Sequence, residues 1–381
     1  MALPEPTPDA RAHSDSVTAL IRGEIVSSGG WISFARYMEL ALYAPGLGYY
    51  SAGARKLGKA GDFVTAPEIS PLFGQTLARQ VLQLMQSGFE EILEVGAGSG
   101  ALAATLLEEL DRAGSPPRSY LILELSGDLR ERSRDTLAAR VPHLLERVAW
   151  LNRLPPAFSG VVLGNEVLDA MPVHVVRVNR GRIEEGGVGV RSERLDWSWR
   201  VASGELLEAA RALTLPEGFR TEIGLAARGF LRSLGGVLEK GVALFIDYGF
   251  PQKEYYHPQR REGTLMCHYR QHAHADPFFL PGLQDITSHV DFSAVAEAAR
   301  SVGLELAGYT SQAQFLVNCG ITEVMSRTPA EERGKFLPLA NQANRLMSPA
   351  EMGELFKAIA FERGFGARLE GFRDGDRRQA L

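Results

Sequence analysis

Short apolar runs alternate with helix-patterned segments from residue 89 onward, and this alternation constrains the fold more than any other feature. The apolar runs lie in EEILEVG, SYLILELS, VAWL, GVVLGNE and GVALFIDYG, followed later by LELAGYTS and LFKAIAFER. Runs that are apolar throughout are typical of strands buried on both faces, and intervening helices allow parallel pairing. The sequence therefore predicts an α/β fold with one mostly parallel sheet, helices on both faces and right-handed crossovers.

The same pattern gives a domain plan, in which the strands of residues 89–365 form a single sheet. We expect a disordered lead (1–15), an N-terminal helical and lid region (16–88), a core (89–365) and a tail (366–381). Two excursions of the core, at about 173–200 and 250–290, are expected to decorate that sheet as insertions. Helices are predicted at 16–28, 33–43, 71–86, 222–239 and 313–352.

Composition excludes several classes of protein. The chain has 381 residues, 45% apolar content and a formal net charge of −5, so no excess of positive charge points to nucleic acid. Its two cysteines, Cys267 and Cys319, are too few for a disulfide framework and lack the spacing of a metal site. We therefore expect a globular protein from a reducing compartment, with no nucleic-acid partner.

The N-terminal segment bears on location. It carries Glu5, Asp9 and Asp15 and lacks the apolar region of a signal peptide, whereas mitochondrial presequences avoid acidic residues. No apolar stretch approaches the roughly 20 residues that span a bilayer. We therefore expect a cytoplasmic bacterial protein without membrane insertion.

The segment EVGAGSGA connects the first core strand to its helix and places Gly96, Ala97, Gly98 and Gly100 in one loop. Glycine permits a tight turn and close approach of a ligand, and the helix N-terminus offers free N–H donors. Because Gly96, Gly98 and Ala101 also satisfy the dinucleotide fingerprint, the loop predicts a nucleotide-type cofactor without deciding which one.

Two acidic residues near this loop bear on the cofactor. Glu94 precedes the first glycine by two positions, where a carboxylate disfavours pyrophosphate and suits the ammonium end of an amino acid. A local ion pair or a helix-terminus contact is the alternative for Glu94. Glu124 ends the second strand, next to Leu125, and can accept the ribose hydroxyls of either NAD or S-adenosylmethionine (SAM), or simply be a solvated strand end.

The segment GNEVLDAMPV places Asn165, Glu166 and Asp169 after the fourth strand. Ligands of open parallel sheets lie beyond the carboxyl ends of the strands, and the fourth strand normally adjoins the first. An amide and carboxylates there suit a nitrogen nucleophile that attacks the methyl group of SAM. The alternative is that Asn165 and Asp169 only cap the turn before Pro172.

Seven longer motifs follow one another between roughly residues 16 and 365: GDFVTAPEISPLFG, EVGAGSG, GNEVLDAMPV, FIDYG, EGTLMCHYRQH, GLQDITSHVDF and QAQFLVNCGI. In this order they resemble the MidA-like family of class I SAM-dependent methyltransferases, which includes the mitochondrial complex I assembly arginine methyltransferase. The resemblance implies a Rossmann-like, seven-strand sheet whose last strand is antiparallel, with SAM on the glycine loop and Glu124 on the ribose. It also implies a protein substrate methylated on arginine.

The resemblance further implies that GDFVTAPEIS packs over the cofactor. Its polar and rigid residues are Asp62, Thr65, Pro67 and Glu68. Glu68 is a candidate second carboxylate at the methyl-transfer site, opposite Glu166, since two acids can grip one guanidinium through paired hydrogen bonds. Alternatively, Glu68 caps the helix that starts near Ser70.

The remaining candidates carry weaker signals. His289 is a candidate proton acceptor near the methyl group. Trp150 or Leu151, at the end of the third strand, is a candidate contact for adenine, with core packing as the alternative. Asp247 and Tyr248 end the fifth strand with undecided roles. Two further sets are not assigned to a site: the basic cluster Arg55, Lys56 and Lys59, and the histidines His268, His272 and His274, which lack the arrangement of a metal centre.

Three hypotheses for function follow. The first is a SAM-dependent methyltransferase that modifies arginine nitrogen in a protein. The second is a methyltransferase for a small molecule, with the insertions closing a pocket. The third is a non-catalytic, SAM-binding assembly factor. A dehydrogenase stays as a weaker alternative because the glycine fingerprint is shared.

Overall fold

The computed structural model describes residues 3–52 and 65–381 and divides the chain into two compact units. The accessory unit comprises Met1–Phe63, Leu168–Gly229 and Pro251–Asp291. The core unit comprises Val64–Val167, Phe230–Phe250 and Phe292–Leu381. Each unit is assembled from segments that are distant in the sequence.

The helices and strands are numbered along the chain. The helices are α1 (Pro8–Ser27), α2 (Phe34–Tyr43), α3 (Ala66–Ile69), α4 (Pro71–Gln86), α5 (Ala101–Arg112), α6 (Gly127–Arg140), α7 (Gly204–Ala212), α8 (Leu225–Val237), α9 (Gln252–Tyr255), α10 (Phe292–Arg300), α11 (Gln312–Asn318), α12 (Ile321–Met325) and α13 (Arg333–Met347). The strands are β1 (Ile32–Ser33), β2 (Glu91–Val95), β3 (Ser119–Leu123), β4 (Val148–Leu151), β5 (Phe158–Asn165), β6 (His174–Asn179), β7 (Arg182–Arg191), β8 (Arg194–Val201), β9 (Arg220–Ile223), β10 (Leu238–Phe250), β11 (Met266–Tyr269), β12 (His272–His274), β13 (Asp285–Thr287), β14 (Val290–Asp291), β15 (Glu305–Ser311) and β16 (Phe356–Arg363).

The core unit is built on a sheet in which strands run in the order β15-β16-β10-β5-β2-β3-β4. Pairing is parallel from β10 through β4, and β16 is antiparallel to both β10 and β15. Apolar side chains of β2, β3 and β5 are buried on both faces because helices cover both sides. The predicted α/β sheet and its antiparallel last strand are confirmed.

Parallel pairing brings the carboxyl ends of β2, β3 and β5 to one edge of this sheet. The glycine loop, Glu124 and Asn165 therefore follow neighbouring strands at the same edge. Helices α4 and α5 pack together and belong to the core cluster through residues such as Phe73 and Leu106. This packing gives the loop after β2 a rigid support.

The accessory unit has its own antiparallel sheet, in the order β1-β7-β6-β9 with β8 on the outer side of β7. A second sheet joins β12, β11 and β13. Helices α1 and α2 cover the first sheet through a buried cluster that includes Val17, Ile21, Phe34 and Tyr37. The prediction that 173–200 and 250–290 only decorate one sheet is wrong, since they supply strands of separate sheets.

The structure also differs from the sequence-based plan at both ends of the chain. Residues 8–15 are not a disordered lead, because Pro8 begins α1 and the Thr7 side chain accepts a hydrogen bond from the N–H of Ala10. Residues 366–381 are not a loose tail, since Leu369 and Phe372 are each 1% exposed within the core cluster. Residues 8–15 belong to a helix that buries Val17, Ile21 and Ile25 further along, and the C-terminal segment is held by its own buried apolar side chains.

Two predicted helices have different bounds. The helix expected over 222–239 begins at Leu225, because Arg220–Ile223 pairs with β6. The helix expected over 313–352 is divided into α11, α12 and α13, with Gly320 in the left-handed region at φ +77° between the first two. Across residues 3–52 and 65–381, no helix combines the length and apolarity that crossing a bilayer requires.

Replacing Phe372 tests whether the C-terminal segment is structural. The Phe372 ring is 1% exposed and meets Phe315 at 5.4 Å between centroids. We expect Phe372→Ala to lower the free energy of unfolding by about 3–5 kcal/mol, measured by urea denaturation. Val317→Ala, on a side chain 52% exposed in α11, should change it by about 0.5 kcal/mol or less. Equal effects of the two substitutions would contradict this packing.

Candidate active site

The loop after β2 turns through three glycines in the left-handed backbone region, with φ of +66° at Gly96, +55° at Gly98 and +79° at Gly100. The N–H of Gly96 donates to the carbonyl of Leu123 at 2.9 Å, and that of Gly100 donates to Ala97 at 2.8 Å. Glycine adopts this backbone region without the cost that a Cβ atom imposes. The positive φ angles therefore explain why glycine occupies these three positions of the loop.

At two of these glycines, a side chain would collide with neighbouring protein atoms. A Cβ atom at Gly96 would lie 2.7 Å from Cγ1 of Val167, and one at Gly100 would lie 2.9 Å from Cα of Ser133. Gly100 is the N-cap residue of α5, and because it has no side chain it supplies no capping oxygen. The arrangement is a backbone cradle at a helix N-terminus, which is the usual setting for a nucleotide-type cofactor.

Glu124 lies beside this cradle. It is 7% exposed, and its Oε1 accepts the N–H of Ser126 at 2.9 Å. Burial raises the pKa of the Glu124 carboxyl, while hydrogen bonds from the backbone N–H groups of Ser126, Gly98 and Leu125 oppose the rise. A buried acceptor held next to Gly98 is not the solvated strand end that was the alternative. The neighbouring Leu125 is 70% exposed, so it offers an apolar surface at the same edge.

Glu94 points into the core unit, where it is 2% exposed. Its Oε2 accepts the hydroxyl of Tyr120 at 2.7 Å. Burial raises the pKa of the Glu94 carboxyl from 4.5 to about 7; the Tyr120 hydrogen bond opposes this, and the charge of Glu124 adds to it. The described contact is neither an ion pair nor a helix terminus, and sequence reasoning missed Tyr120. That Glu94 faces an ammonium group stays a prediction.

The segment after β5 makes a strained turn. Glu166 adopts φ +53°, a region that non-glycine residues rarely occupy. The turn is fixed from the end of β10: Glu166 N–H donates to the carbonyl of Ile246 at 2.8 Å, and Val167 N–H donates to Oδ2 of Asp247 at 3.1 Å. Asp247, whose role was undecided from sequence, thus holds the turn that presents Asn165 and Glu166.

The side chains of this turn are oriented by specific donors. Oε1 of Glu166 accepts both Nδ2 of Asn165 at 3.1 Å and the N–H of Ala66 at 3.0 Å. Because Nδ2 of Asn165 is engaged, the orientation of its amide is set. Oδ1 of Asn165 is buried and has no hydrogen-bond partner among residues 3–52 and 65–381. A buried acceptor of this kind is poised for a donor from a bound molecule.

Helix α3 joins the two sides of the site. Ala66 at its start donates to Glu166, and Glu68 accepts a hydrogen bond from the hydroxyl of Ser99 in the glycine loop. Glu68 does not cap α4, because the Ser70 hydroxyl oxygen accepts the N–H of Leu72 at 3.2 Å. The structure thus brings Glu68, the glycine loop and Glu166 together through one short helix.

Thr65 and Pro67 fix the start of this helix. Thr65 is its N-cap residue, although its side chain makes no capping bond, and its carbonyl accepts the N–H groups of Glu68 and Ile69 at 2.9 and 3.0 Å. Pro67 lies in the first turn, where a missing N–H is tolerated. Asp62 and the basic cluster Arg55, Lys56 and Lys59 lie outside the described residues.

Trp150 makes contacts typical of packing. Its indole N–H donates to the hydroxyl of Ser133 at 2.9 Å, and the guanidinium of Arg134 lies 4.7 Å from the ring centroid. Leu151 ends β4, and its carbonyl accepts the N–H of Glu124 at 3.2 Å. The contacts of Trp150 favour the packing alternative, and a contact of either residue with adenine stays a prediction.

Asp169 and His289 belong to the accessory unit. Asp169 is 5% exposed, and its carbonyl accepts the N–H of Ser288 at 3.1 Å. The backbone N–H of His289 donates to the hydroxyl of Thr264 at 3.1 Å. Their predicted roles in methyl transfer stay predictions.

The three histidines considered as metal ligands lie in a β-hairpin. Tyr269 pairs with His272 and Cys267 pairs with His274 across β11 and β12, with Arg270 at the turn in the left-handed region. In the described part of the chain, no group of three or more His, Cys, Asp or Glu side chains has the arrangement of a metal site.

The raised pKa of Glu94 predicts a pH-dependent stability. A carboxyl with a folded-state pKa of about 7 and an ordinary value of 4.5 stabilises the fold most below pH 4.5 and loses that contribution as pH rises to 7. The loss amounts to about 3 kcal/mol. We expect Glu94→Gln to remove this dependence. The free energy of unfolding of the variant should therefore rise relative to that of the wild type between pH 4.5 and 7. Urea denaturation at pH 4.5 and pH 7 measures both free energies of unfolding. The same difference between variant and wild type at the two pH values would contradict the prediction.

Comparison with known proteins now assigns the family. The profile of the S-adenosyl-L-methionine-dependent methyltransferase family Methyltransf_28 matches residues 76–310. A solved structure of a COG1565 superfamily member from Burkholderia thailandensis, bound to S-adenosyl-homocysteine (SAH), is 52% identical with a TM-score of 0.96, covering 100% of both chains.

Two curated relatives agree. The mitochondrial protein arginine methyltransferase NDUFAF7 of Mus musculus is 30% identical, covering 92% of this chain and 85% of its own. Its Drosophila melanogaster homolog is 27% identical, with 94% and 87% covered. These similarities confirm the predicted MidA-like family and SAM as the cofactor, and they remove the dehydrogenase alternative. The chain belongs to the Methyltransf_28 family of SAM-dependent methyltransferases.

Proposed function

We propose that this methyltransferase transfers the methyl group of SAM to an arginine nitrogen of a protein. The observation that carries the proposal is the turn at Glu166, which presents an oriented carboxylate beside the Oδ1 atom of Asn165. That oxygen is buried and has no hydrogen-bond partner within the described part of the chain. A guanidinium has five N–H donors and no acceptor, so adjacent carboxylate and amide oxygens suit it. The names of the curated relatives support the same substrate class.

The residues at the edge of the sheet fit SAM. The backbone cradle of Gly96, Gly98 and Gly100 would hold the part of the cofactor nearest the helix N-terminus, where free backbone N–H groups can donate to it. Glu124 would accept the ribose hydroxyls, and exposed Leu125 would contact the base. Ala97, Thr65 and Pro67 complete the proposed cofactor contacts, while Glu94 would face the ammonium end.

The chemistry requires positioning more than covalent catalysis. SAM supplies a methyl group on a sulfonium cation, and SAH leaves when the nitrogen–carbon bond forms and the carbon–sulfur bond breaks. Asn165 and Glu166 would fix the plane of the guanidinium so that one nitrogen lies in line. That nitrogen loses one proton, and the carboxylate favours the cationic guanidinium that remains.

Three further residues have proposed supporting roles. Glu68 would act as the second carboxylate, and its bond to Ser99 couples it to the glycine loop. Asp169 would support Asn165 and Glu166, as the sequence predicts. His289 would accept the proton, because an imidazole nitrogen can act as a general base.

Replacing Gly100 tests the cradle. In Gly100→Ala, the new Cβ atom meets Ser133 at 2.9 Å and the residue retains φ +79°, so we expect SAH affinity to fall at least about tenfold by calorimetry. Gly114→Ala is the control, since φ is +70° there and nothing lies within 4 Å of its Cβ position. A folded Gly100→Ala protein with wild-type SAH affinity would contradict the assignment.

Replacing Glu166 tests the acceptor site. Glu166→Gln retains an oxygen for Ala66 and Asn165 but removes the charge, so SAH affinity should stay within about twofold while kcat falls about 100-fold or more. Glu362→Gln is a matched control, because that carboxylate accepts the N–H of Phe365 at 2.7 Å and has no proposed part in the site. Unchanged turnover in Glu166→Gln would remove Glu166 from the mechanism.

A labelling experiment separates the three hypotheses for function. The protein is incubated with methyl-labelled SAM and a bacterial lysate, and labelled proteins are hydrolysed for amino-acid analysis. Label in methylarginine is the expected result. Label only in extractable metabolites would support the small-molecule alternative, and unused SAM would support the assembly factor. A cytoplasmic location, which localisation by fractionation can test, stays part of the proposal.

A further inference from the structure

The accessory unit contains a cavity of about 400 Å³ that no step of the proposed methyl transfer uses. It lies against the sheet formed by β6 to β9, and its wall includes Arg177, Trp197, Trp199, Glu217, Arg220 and Glu262. We call this cavity the Trp–Arg pocket. Its size falls in the range of pockets that bind small ligands or side chains of a partner.

The pocket wall is a stack of aromatic rings and guanidinium groups. Trp197 and Trp199 stack at 5.8 Å between centroids with 21° between their planes. The guanidinium of Arg177 lies 4.1 Å from the Trp199 ring centroid, and that of Arg220 lies 5.0 Å from Trp197. Phe34 stacks on Trp197 at 4.8 Å and ties the pocket to the buried cluster. The wall is therefore rigid before any ligand arrives.

The two arginines differ in their partners. Nε of Arg177 donates to Oε2 of Glu184 at 2.7 Å, so its charge is paired. Nε of Arg220 is buried and has no hydrogen-bond partner in the described ranges. Glu222, two positions further along β9, interacts with Arg220 electrostatically, but its Oε2 accepts from Thr264 at 2.8 Å. Arg220 thus retains a planar donor for an anion.

The acids of the pocket limit the charge of that anion. The carboxylate of Glu217 accepts the N–H groups of Arg180 and Gly181 at 2.7 and 3.0 Å, and these bonds lower its pKa. It therefore stays ionised, and with Glu262 it repels a dianion such as phosphate. The four charged side chains of the wall, Arg177, Arg220, Glu217 and Glu262, sum to zero. A single carboxylate next to Arg220 therefore meets less repulsion there than a dianion would.

We propose that the Trp–Arg pocket binds an aspartate or glutamate side chain of the protein substrate, with a neighbouring apolar side chain against Trp199. This inference rests on the proposed function, because it assumes a polypeptide acceptor. Charge complementarity at Arg220 selects the carboxylate, and the carboxylates of Glu217 and Glu262 can accept N–H groups of a peptide backbone. Tryptophan and arginine are also the residues that contribute most at protein interfaces.

Tryptophan fluorescence of the full chain tests this pocket, which holds two of the four tryptophans. The probe is a blocked tripeptide of phenylalanine, glutamate and alanine, and a saturable fluorescence change is expected. Arg220→Gln should weaken probe binding at least about tenfold, since a charge-assisted hydrogen bond is lost. Arg200→Gln is the control, because that guanidinium covers Trp31 at 4.5 Å outside the pocket. An unchanged SAH affinity verifies that each variant is folded.

Several outcomes would overturn the proposal. One is that a tripeptide with glutamine in place of glutamate binds equally well. Another is that Arg220→Gln binds the probe as tightly as the wild type. A third is that phosphate binds in the pocket and the tripeptide does not. If the tripeptide does not bind but labelled methylarginine is found, only the proposed ligand of the Trp–Arg pocket is overturned. Retained tripeptide binding with label only in metabolites overturns the proposed function instead.

Discussion

The left-handed turn at Glu166 is the constraint on which the candidate active site depends. A non-glycine residue in this backbone region costs about 1–3 kcal/mol, so the turn persists only where neighbouring groups enforce it. The end of β10 supplies that enforcement through the carbonyl of Ile246 and the carboxylate of Asp247. Parallel pairing of β5 with β10 is therefore what converts a strand end into an oriented pair of acceptors.

Helix α3 connects this turn to the cofactor loop. One residue of α3 donates its N–H to Glu166, and Glu68 on the same helix accepts the hydroxyl of Ser99. With four residues, α3 has little stability of its own, so these two contacts and its packing on α4 hold it. We propose that a change in the glycine loop reaches the turn at Glu166 through α3, which would relate cofactor binding to the geometry of transfer.

The sequence predicted those features that depend on local pattern. Apolar runs separated by helices predicted the parallel core sheet, and the glycines and Glu124 remain the predicted contacts of the cofactor. It did not predict that the accessory strands form separate sheets, because β1, β9 and β13 join those sheets from segments far apart in the chain. It also missed the bond between Tyr120 and Glu94 and the role of Asp247 at the turn, since both join residues that only neighbouring strands bring together.

The most direct test of the central claim is a crystal structure of the protein with SAH. The account predicts the adenosyl group over the loop of Gly96 to Gly100, with the sulfur facing Asn165 and Glu166. The space between them should admit one methyl group and one nitrogen, with reacting atoms about 3–3.5 Å apart. A sulfur directed away from Glu166, or a Glu166 carboxylate turned toward bulk solvent in that complex, would contradict it.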